Sequence, residues 1–253
     1  MGLSDEQKKE LNRKKRDENA AHAYEQILGE LGFANVGASV SRKEREETHQ
    51  LGTPHLRYAE AGFDPVKVVL DKIQDTYGKP NVGHSGPGGR LQRDGEAVFY
   101  DLGSGMGKAA LAAAVCFSFK RCVGYERLEG LHTLAAAVKK NYDRLAPDVI
   151  PNMQKMGEEI ADPVDLPELE FFNGNFLTKD YADADVVFCH CTAFDDDGVS
   201  DLMMCLSTMS AGAFVVTTTH MLPENSAFDT VDNSVQWMDG IEALVFIAQK
   251  RAG

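Results

Sequence analysis

The run Phe99-Tyr100-Asp101-Leu102-Gly103-Ser104-Gly105-Met106-Gly107 holds the residues whose types and spacing could bind a ligand. Apolar residues from Ala97 to Tyr100 end in an acid, three alternating glycines follow, and Lys108-Ala109-Ala110-Leu111-Ala112-Ala113-Ala114 continues as a helical run. That order reads as strand, tight turn and helix. Glycines let the backbone come close to a ligand in conformations closed to other residues. The helix behind them presents its N-terminal amides to a negative group.

Three ligands compete for such a turn. A phosphate-binding P-loop needs G-x-x-x-x-G-K-[ST]. Gly107-Lys108 supplies the G-K, but Leu102 stands where the first glycine belongs and Ala109 where the hydroxyl belongs. A dinucleotide fingerprint needs G-x-G-x-x-G, whereas Gly103, Gly105 and Gly107 give G-x-G-x-G after Asp101. An acid there repels a pyrophosphate. It suits the ammonium of a methionine moiety, so the turn points to S-adenosyl-L-methionine as cofactor. Glu126 ends the next apolar run, Arg121 to Tyr125. It lies about 20 residues downstream, where an acid holds ribose hydroxyls. The plain alternative is a strand–helix turn with no ligand.

Two further groups could do chemistry. Cys189-His190-Cys191 has the residue types of a metal site. Alternation along a strand puts His190 on the opposite face from both cysteines, so no metal is expected. His220, after Thr217-Thr218-Thr219, ends the fifth core strand near the crevice where α/β sites form. It could act as a base or be an ordinary surface histidine.

The elements that must position these residues alternate. Strand 97–102 leads to helix 106–117 and strand 121–125 to helix 129–145. Strands 168–173 and 184–190 follow, then helix 198–209 and strand 212–218. Alternating β and α predicts a parallel sheet with helices on both faces. Two closing strands, Ser234 to Met238 and Ile241 to Gln249, are joined by Asp239-Gly240, a hairpin signal. The fold class is therefore α/β, a Rossmann-like seven-stranded sheet with a terminal antiparallel hairpin, preceded by a small helical N-terminal region.

Three regions are expected: 1–77, helical and ending in a loop and a short helix; 78–96, a Gly- and Pro-rich loop; and 97–253, the cofactor-binding domain. Within the first, Ser4 to Leu31 reads as a helix capped by Ser4 or Asp5, and Ser41 to Gln50 as a second, charged helix. Asp64-Pro65 starts a third, with Asp as N-cap and Pro at the first helical position. Lys8, Lys9, Arg13, Lys14, Lys15 and Arg16 cluster on the first helix among interleaved acids. They form a solvated face or, on the sharper reading, a nucleosome or RNA contact.

Composition narrows the classes. No apolar run is long enough to span a membrane, and Met1 to Arg16 lacks an apolar signal core. The formal net charge of −13 repels nucleic-acid phosphates, so direct nucleic-acid binding is expected to be weak or absent. It favours a basic protein partner, or serves solubility alone. Five cysteines, an odd number, all lie in apolar segments and read as reduced core thiols of a nuclear or cytoplasmic protein.

The glycine turn, Glu126 and the terminal hairpin together resemble class I S-adenosylmethionine-dependent methyltransferases. Further segments resemble one branch, the Dot-one type (disruptor of telomeric silencing) histone lysine methyltransferases. Leu56-Arg57-Tyr58-Ala59-Glu60-Ala61-Gly62-Phe63-Asp64 is similar to the Y-G-E-x-x-F loop of that branch, which closes over the cofactor. Asn173-Gly174-Asn175-Phe176-Leu177 is similar to its G-D-F-L adenine-binding turn. The segment from Ala184 to Phe194 resembles its strand ending in V-N-N-F-A-F, and Ser234-Val235-Gln236-Trp237 its S-V-S-W hairpin. The segments keep the family's order from about residue 55 to 250.

The resemblance implies cofactor contacts from Tyr58, Glu60, Asp101, Gly103, Ser104, Gly105, Gly107, Glu126, Asn175 and Phe176. It implies that Phe194 and Trp237 line an acceptor channel, with Thr192 at the methyl end. Three departures stand out: Ala59 replaces a glycine, Asn175 replaces the adenine-binding Asp, and Cys191-Thr192 stands where the family has an asparagine. The family's basic nucleosome-binding extension has no counterpart; the chain ends in Lys250-Arg251 and two small residues. Absence of an N-P-P-Y sequence after strand 184–190 argues against DNA adenine or glutamine methylation. Three functions remain: a protein-lysine methyltransferase acting on a histone or other basic protein, a small-molecule methyltransferase, or a cofactor-binding protein that acts through partners.

Overall fold

A computed structural model describes residues 4–32, 36–52, 58–77, 96–154, 166–223, 226–238 and 241–252. Seven strands form one sheet: β1 (Val98–Leu102), β2 (Arg121–Glu126), β3 (Glu168–Asn173), β4 (Val186–Cys189), β5 (Phe214–Thr218), β6 (Phe228–Met238) and β7 (Ile241–Lys250). Their order is β3-β2-β1-β4-β5-β7-β6. The first five are parallel; β7 runs antiparallel to β5 and β6 antiparallel to β7. The order reverses between β1 and β4, and ligands of open α/β sheets bind in the crevice at that point.

Six helices flank the sheet: α1 (Asp5–Leu28), α2 (Val36–Glu47), α3 (Phe63–Lys72), α4 (Lys108–Cys116), α5 (Glu129–Gln154) and α6 (Asp196–Cys205). Successive strand residues point to opposite faces, and the two cores follow that alternation. Phe99, Cys122, Val186 and Phe214 pack with residues of α1, α3, α4 and α5. Val98, Tyr100, Leu102, Val187 and Cys189 pack with Leu202 and Leu206 beside α6.

Several expected element boundaries need correction. Helix α5 runs on through Pro147 to Gln154 rather than stopping at 145. An internal proline costs about 3 kcal/mol. The buried stripe Val138, Tyr142, Ala146 and Ile150 continues across it, and that packing offsets the lost hydrogen bond. Helix α3 is entered through Gly62, without a side-chain cap, so Asp64 and Pro65 sit inside its first turn rather than at its start. Its first amides lack intrahelical partners, so proline is tolerated there. Strand β4 stops at Cys189, one residue short of the expected end, which frees His190 from the sheet.

At the N-terminus, Ser4 and Gln7 form a capping box, and Ala23, Tyr24 and Ile27 bury one face of α1. Arg13 pairs with Asp75 at 2.9 Å and Lys14 with Glu18 at 3.9 Å, so acids neutralise part of the basic cluster. Helix α2 covers 36–47 rather than 41–50 and packs on α5. The loop 78–95 and the Asp239-Gly240 turn lie outside the described residues.

Candidate active site

The glycine turn joins β1 to α4. Gly103, Gly105 and Gly107 have φ of +77°, +55° and +88°, which L side chains adopt at a cost of about 1–2 kcal/mol. The turn is tied to β2, because Gly103 and Ser104 both donate to the Tyr125 carbonyl at 2.9 Å. A Cβ on Gly103 would meet nothing within 4 Å, whereas one on Gly107 would stand 2.3 Å from the Phe171 ring. Gly103 therefore leaves ligand space, and Gly107 permits packing.

Asp101 is 3% exposed and points with Phe99 towards α4, where its Oδ2 accepts the Ala110 amide at 3.2 Å. Burial pushes its pKa up to about 8, the Ala110 hydrogen bond opposes the shift, and Glu126 and Glu60 add to it. Glu126 ends β2. Its Oε2 accepts the Gly105 amide at 2.9 Å and its Oε1 the Leu128 amide at 2.8 Å. Burial raises its pKa, opposed by those amides. Glu60 pairs with Lys108, the first residue of α4, and burial again raises its pKa against that lysine. Of the three buried acids around one turn, Glu60 is paired with Lys108, and the raised pKa values of Asp101 and Glu126 mean that a bound cation would favour their ionised forms.

Tyr58 closes it from above. Its hydroxyl presses on Gly37 of α2, and its ring lies 3.0 Å from where a Gly105 Cβ would be. Helix α2 is in turn fixed to α5, because the Glu44 carboxylate accepts the Glu129 and Gly130 amides at 2.8 and 2.7 Å. On the far side, Asn175 Oδ1 accepts the Leu177 amide at 3.1 Å, which sets Phe176 in a short helical turn.

Between these parts lies a cavity of about 310 Å³, within the range of small-molecule sites. Tyr58, Gly103, Glu126, Asn175 and Phe176 line it, and so does Phe194. Glu60, Asp101, Ser104, Gly105 and Gly107 stand behind that lining and shape the turn. The Phe194 and Phe176 rings are parallel, 6.3 Å apart between centroids, at the start of α6. Asp195, Asp197 and Asp201 complete this wall.

Of the three residues expected at the acceptor end, two are not in the cavity wall. Trp237 is 66% exposed on the terminal hairpin with Val235 and Leu244, outside the lining of this cavity. Thr192 lies within a hydroxyl cluster: it pairs with Thr218 at 3.1 Å and accepts from Thr219 at 3.0 Å. Thr219 holds that pose at φ +68°, strained for a β-branched residue. His220 is half-buried outside the lining, its carbonyl accepting from Thr217 at 2.6 Å.

Sequence reasoning missed His190, Arg127, Leu128, Leu131 and the three aspartates, all of which line the cavity. The signal for His190 was available: it follows the strand next to the chain reversal. Cys189 and Cys191 are buried on the opposite face, as alternation predicts, and among the described residues no group of three ligating side chains could hold a metal.

The residues fit S-adenosylmethionine. Gly103 leaves a cradle that a Cβ would fill, buried Ser104 Oγ has no hydrogen-bond partner among the described residues, and the buried acids suit a cation. A sheet reversing beside a glycine turn, with an acid at the end of β2, defines a class I S-adenosylmethionine-dependent methyltransferase. The sequence pattern of the family described as "Histone methylation protein DOT1" matches residues 90–244. The chain belongs to that family, and its cofactor is S-adenosyl-L-methionine.

No curated protein matches the chain. Solved structures similar to it include an RNA methyltransferase from Salinibacter ruber in complex with S-adenosyl-L-homocysteine. That one is 21% identical with a TM-score of 0.46, and the match covers 75% of this chain and 93% of that one. Magnesium protoporphyrin IX methyltransferase from Synechocystis PCC 6803 with bound cofactor is 12% identical, with 99% of both chains covered and a TM-score of 0.45. Neither likeness bears on substrate.

Proposed function

We propose that this chain is a protein-lysine N-methyltransferase acting on a histone or another basic protein. The observation that carries the reading is the outer wall of the cavity, where parallel Phe176 and Phe194 stand beside Asp195, Asp197 and Asp201. Aspartates at the mouth attract a lysine-rich segment, and aromatic faces desolvate the ammonium that enters. Desolvation depresses a lysine pKa, which makes the neutral amine accessible.

S-adenosylmethionine, when bound, supplies an electrophilic methyl group. Asp101 and Glu126 would hold its ammonium and ribose ends, with Asn175 accepting from the adenine amine through its side-chain oxygen. The chain's own task is alignment, which contributes up to about 7–11 kcal/mol to such reactions. Gly103 permits close approach, Tyr58 covers the turn, and Phe176 and Phe194 set the acceptor's angle.

Incubation with labelled cofactor and separated histones, ribosomal proteins and metabolite pools tests the reading. Label on lysine side chains of a basic protein is the expected result. Label confined to metabolites, or none despite tight cofactor binding, overturns it.

A further inference from the structure

We propose that the bare face of β2 and β3 is a docking surface for an arginine of the acceptor protein, seated on Phe172. The inference rests on the acceptor being a basic protein and adds where a second part of it is held.

The surface exists because one crossover lacks a helix. Helices α4, α5 and α6 carry the chain from β1 to β2, from β2 to β3 and from β4 to β5. Between β3 and β4 stands only the short turn Phe176–Thr178. Among the described residues α6 is the one helix packed on that side of the sheet, against residues of β1, β4 and β5. Alternation turns Arg121, Val123 and Tyr125 of β2 and Glu168, Glu170 and Phe172 of β3 to the same side. Phe172 is 42% exposed there.

Three rings form a ladder across this side. Tyr100 and Tyr125 are parallel with centroids 6.4 Å apart, and Tyr125 stacks on Phe172 at 5.4 Å. The chain's own cations serve the first two. The Arg121 guanidinium lies 5.8 Å from the Tyr100 ring centre, pairs with Asp183 and has Glu170 at 3.8 Å. Lys179 Nζ lies 5.6 Å from the Tyr125 ring centre. Among the described residues no cation stands over Phe172, the outermost and most exposed of the three rings.

Charge and shape choose the occupant. Aromatic faces attract cations, and a planar guanidinium can stack on a ring while it pairs with a carboxylate. Arg121 does both on Tyr100. Glu168 and Glu170 give Phe172 the same company, a ring with carboxylates on its own strand face. Glu168, Glu170 and Asp183 outnumber Arg121 and Lys179, so an incoming phosphate is repelled and an incoming arginine attracted. The β3–β4 connection that brings Lys179 and Asp183 to this face also carries Asn175 and Phe176 of the cavity wall. A basic protein held on Phe172 therefore lies beside the cavity.

Phe172→Ala and Phe172→Tyr test the assignment in the full-length protein. Fluorescein-labelled nona-arginine, followed by anisotropy, should bind Phe172→Ala about two- to fivefold more weakly than wild type, the size of an exposed cation–π contact. Phe172→Tyr should bind like wild type. Equal binding by wild type and Phe172→Ala overturns the proposal. Tighter binding of a short oligouridylate by wild type than by Phe172→Ala assigns the face to nucleic acid and overturns it too. With labelled cofactor and core histones, Phe172→Ala should raise KM by the same factor while kcat and S-adenosylhomocysteine affinity stay as in wild type. An unchanged KM overturns it. Should wild type label no basic protein while nona-arginine binding still depends on Phe172, the lysine-protein reading fails and the arginine surface stands.

Discussion

Glu126 Oε2 accepts the Gly105 amide at 2.9 Å, so the carboxylate expected to hold the ribose also holds the glycine turn. Its other oxygen accepts from Leu128, at the entry to α5. Glu126→Gln turns one acceptor oxygen into a donor facing a backbone amide. Leaving such a buried group unpaired costs about 1–3 kcal/mol. Urea unfolding should lose about that much stability, and calorimetry should show at least about tenfold weaker S-adenosylhomocysteine binding. Wild-type values in both assays would show that the carboxylate holds neither.

Asp101→Asn separates charge from shape. An asparagine side-chain oxygen can still accept the Ala110 amide, so the fold should persist. Hydrogen bonds to charged groups contribute about 1.5–3 kcal/mol. The variant should therefore bind S-adenosylhomocysteine about 10–100-fold more weakly by calorimetry. Equal affinity would remove Asp101 from the cofactor site.

The same residue sets a pH dependence. Buried Asp101 keeps its proton up to about pH 8, whereas unfolding returns it to about 3.9. Between those values the folded state binds the extra proton, so stability of the cofactor-free protein falls as pH rises. The slope is up to about 1.4 kcal/mol per pH unit. Binding a cation favours the ionised form, so cofactor binding releases a proton and tightens as pH rises towards 8. Calorimetry in buffers of different ionisation enthalpy measures that release at pH 7; a value of zero refutes it.

Gly103→Ala and Gly107→Ala should behave differently although both carry positive φ. Each incurs strain of about 1–2 kcal/mol. In Gly103→Ala the methyl enters open cavity, so the loss appears mainly as weakened cofactor binding. In Gly107→Ala the methyl collides with Phe171, and Tm should fall further than in Gly103→Ala. Thermal melts with and without S-adenosylhomocysteine distinguish the two.

The sheet, its closing hairpin and the turn were legible in the sequence because each rests on local patterns: apolar runs, alternation and glycine spacing. Asp101 and Glu126 followed from position relative to those runs, and Asn175 from the family resemblance. The end of α5 was not, because a proline looks like a stop when the burial that outweighs it is tertiary. Trp237 was expected at a channel; the hairpin leaves it exposed and outside the lining of this cavity. His190 was weighed only for a metal site and set aside; its place in the cavity lining depends on β4 ending one residue early. The Glu44 contact joins residues 85 apart in the chain and leaves no periodic trace.

Helix α2 precedes the region of family likeness, yet Gly37 supports Tyr58 and Glu44 covers the first amides of α5. The boundary of inherited likeness, at residue 90, therefore falls inside the cooperative unit that builds the pocket. A fragment cut at that boundary would keep the glycine turn and Glu126 while losing Tyr58, Glu60 and the roof over the turn. Where the recognisable pattern begins and where the working enzyme begins are, in this chain, two different places.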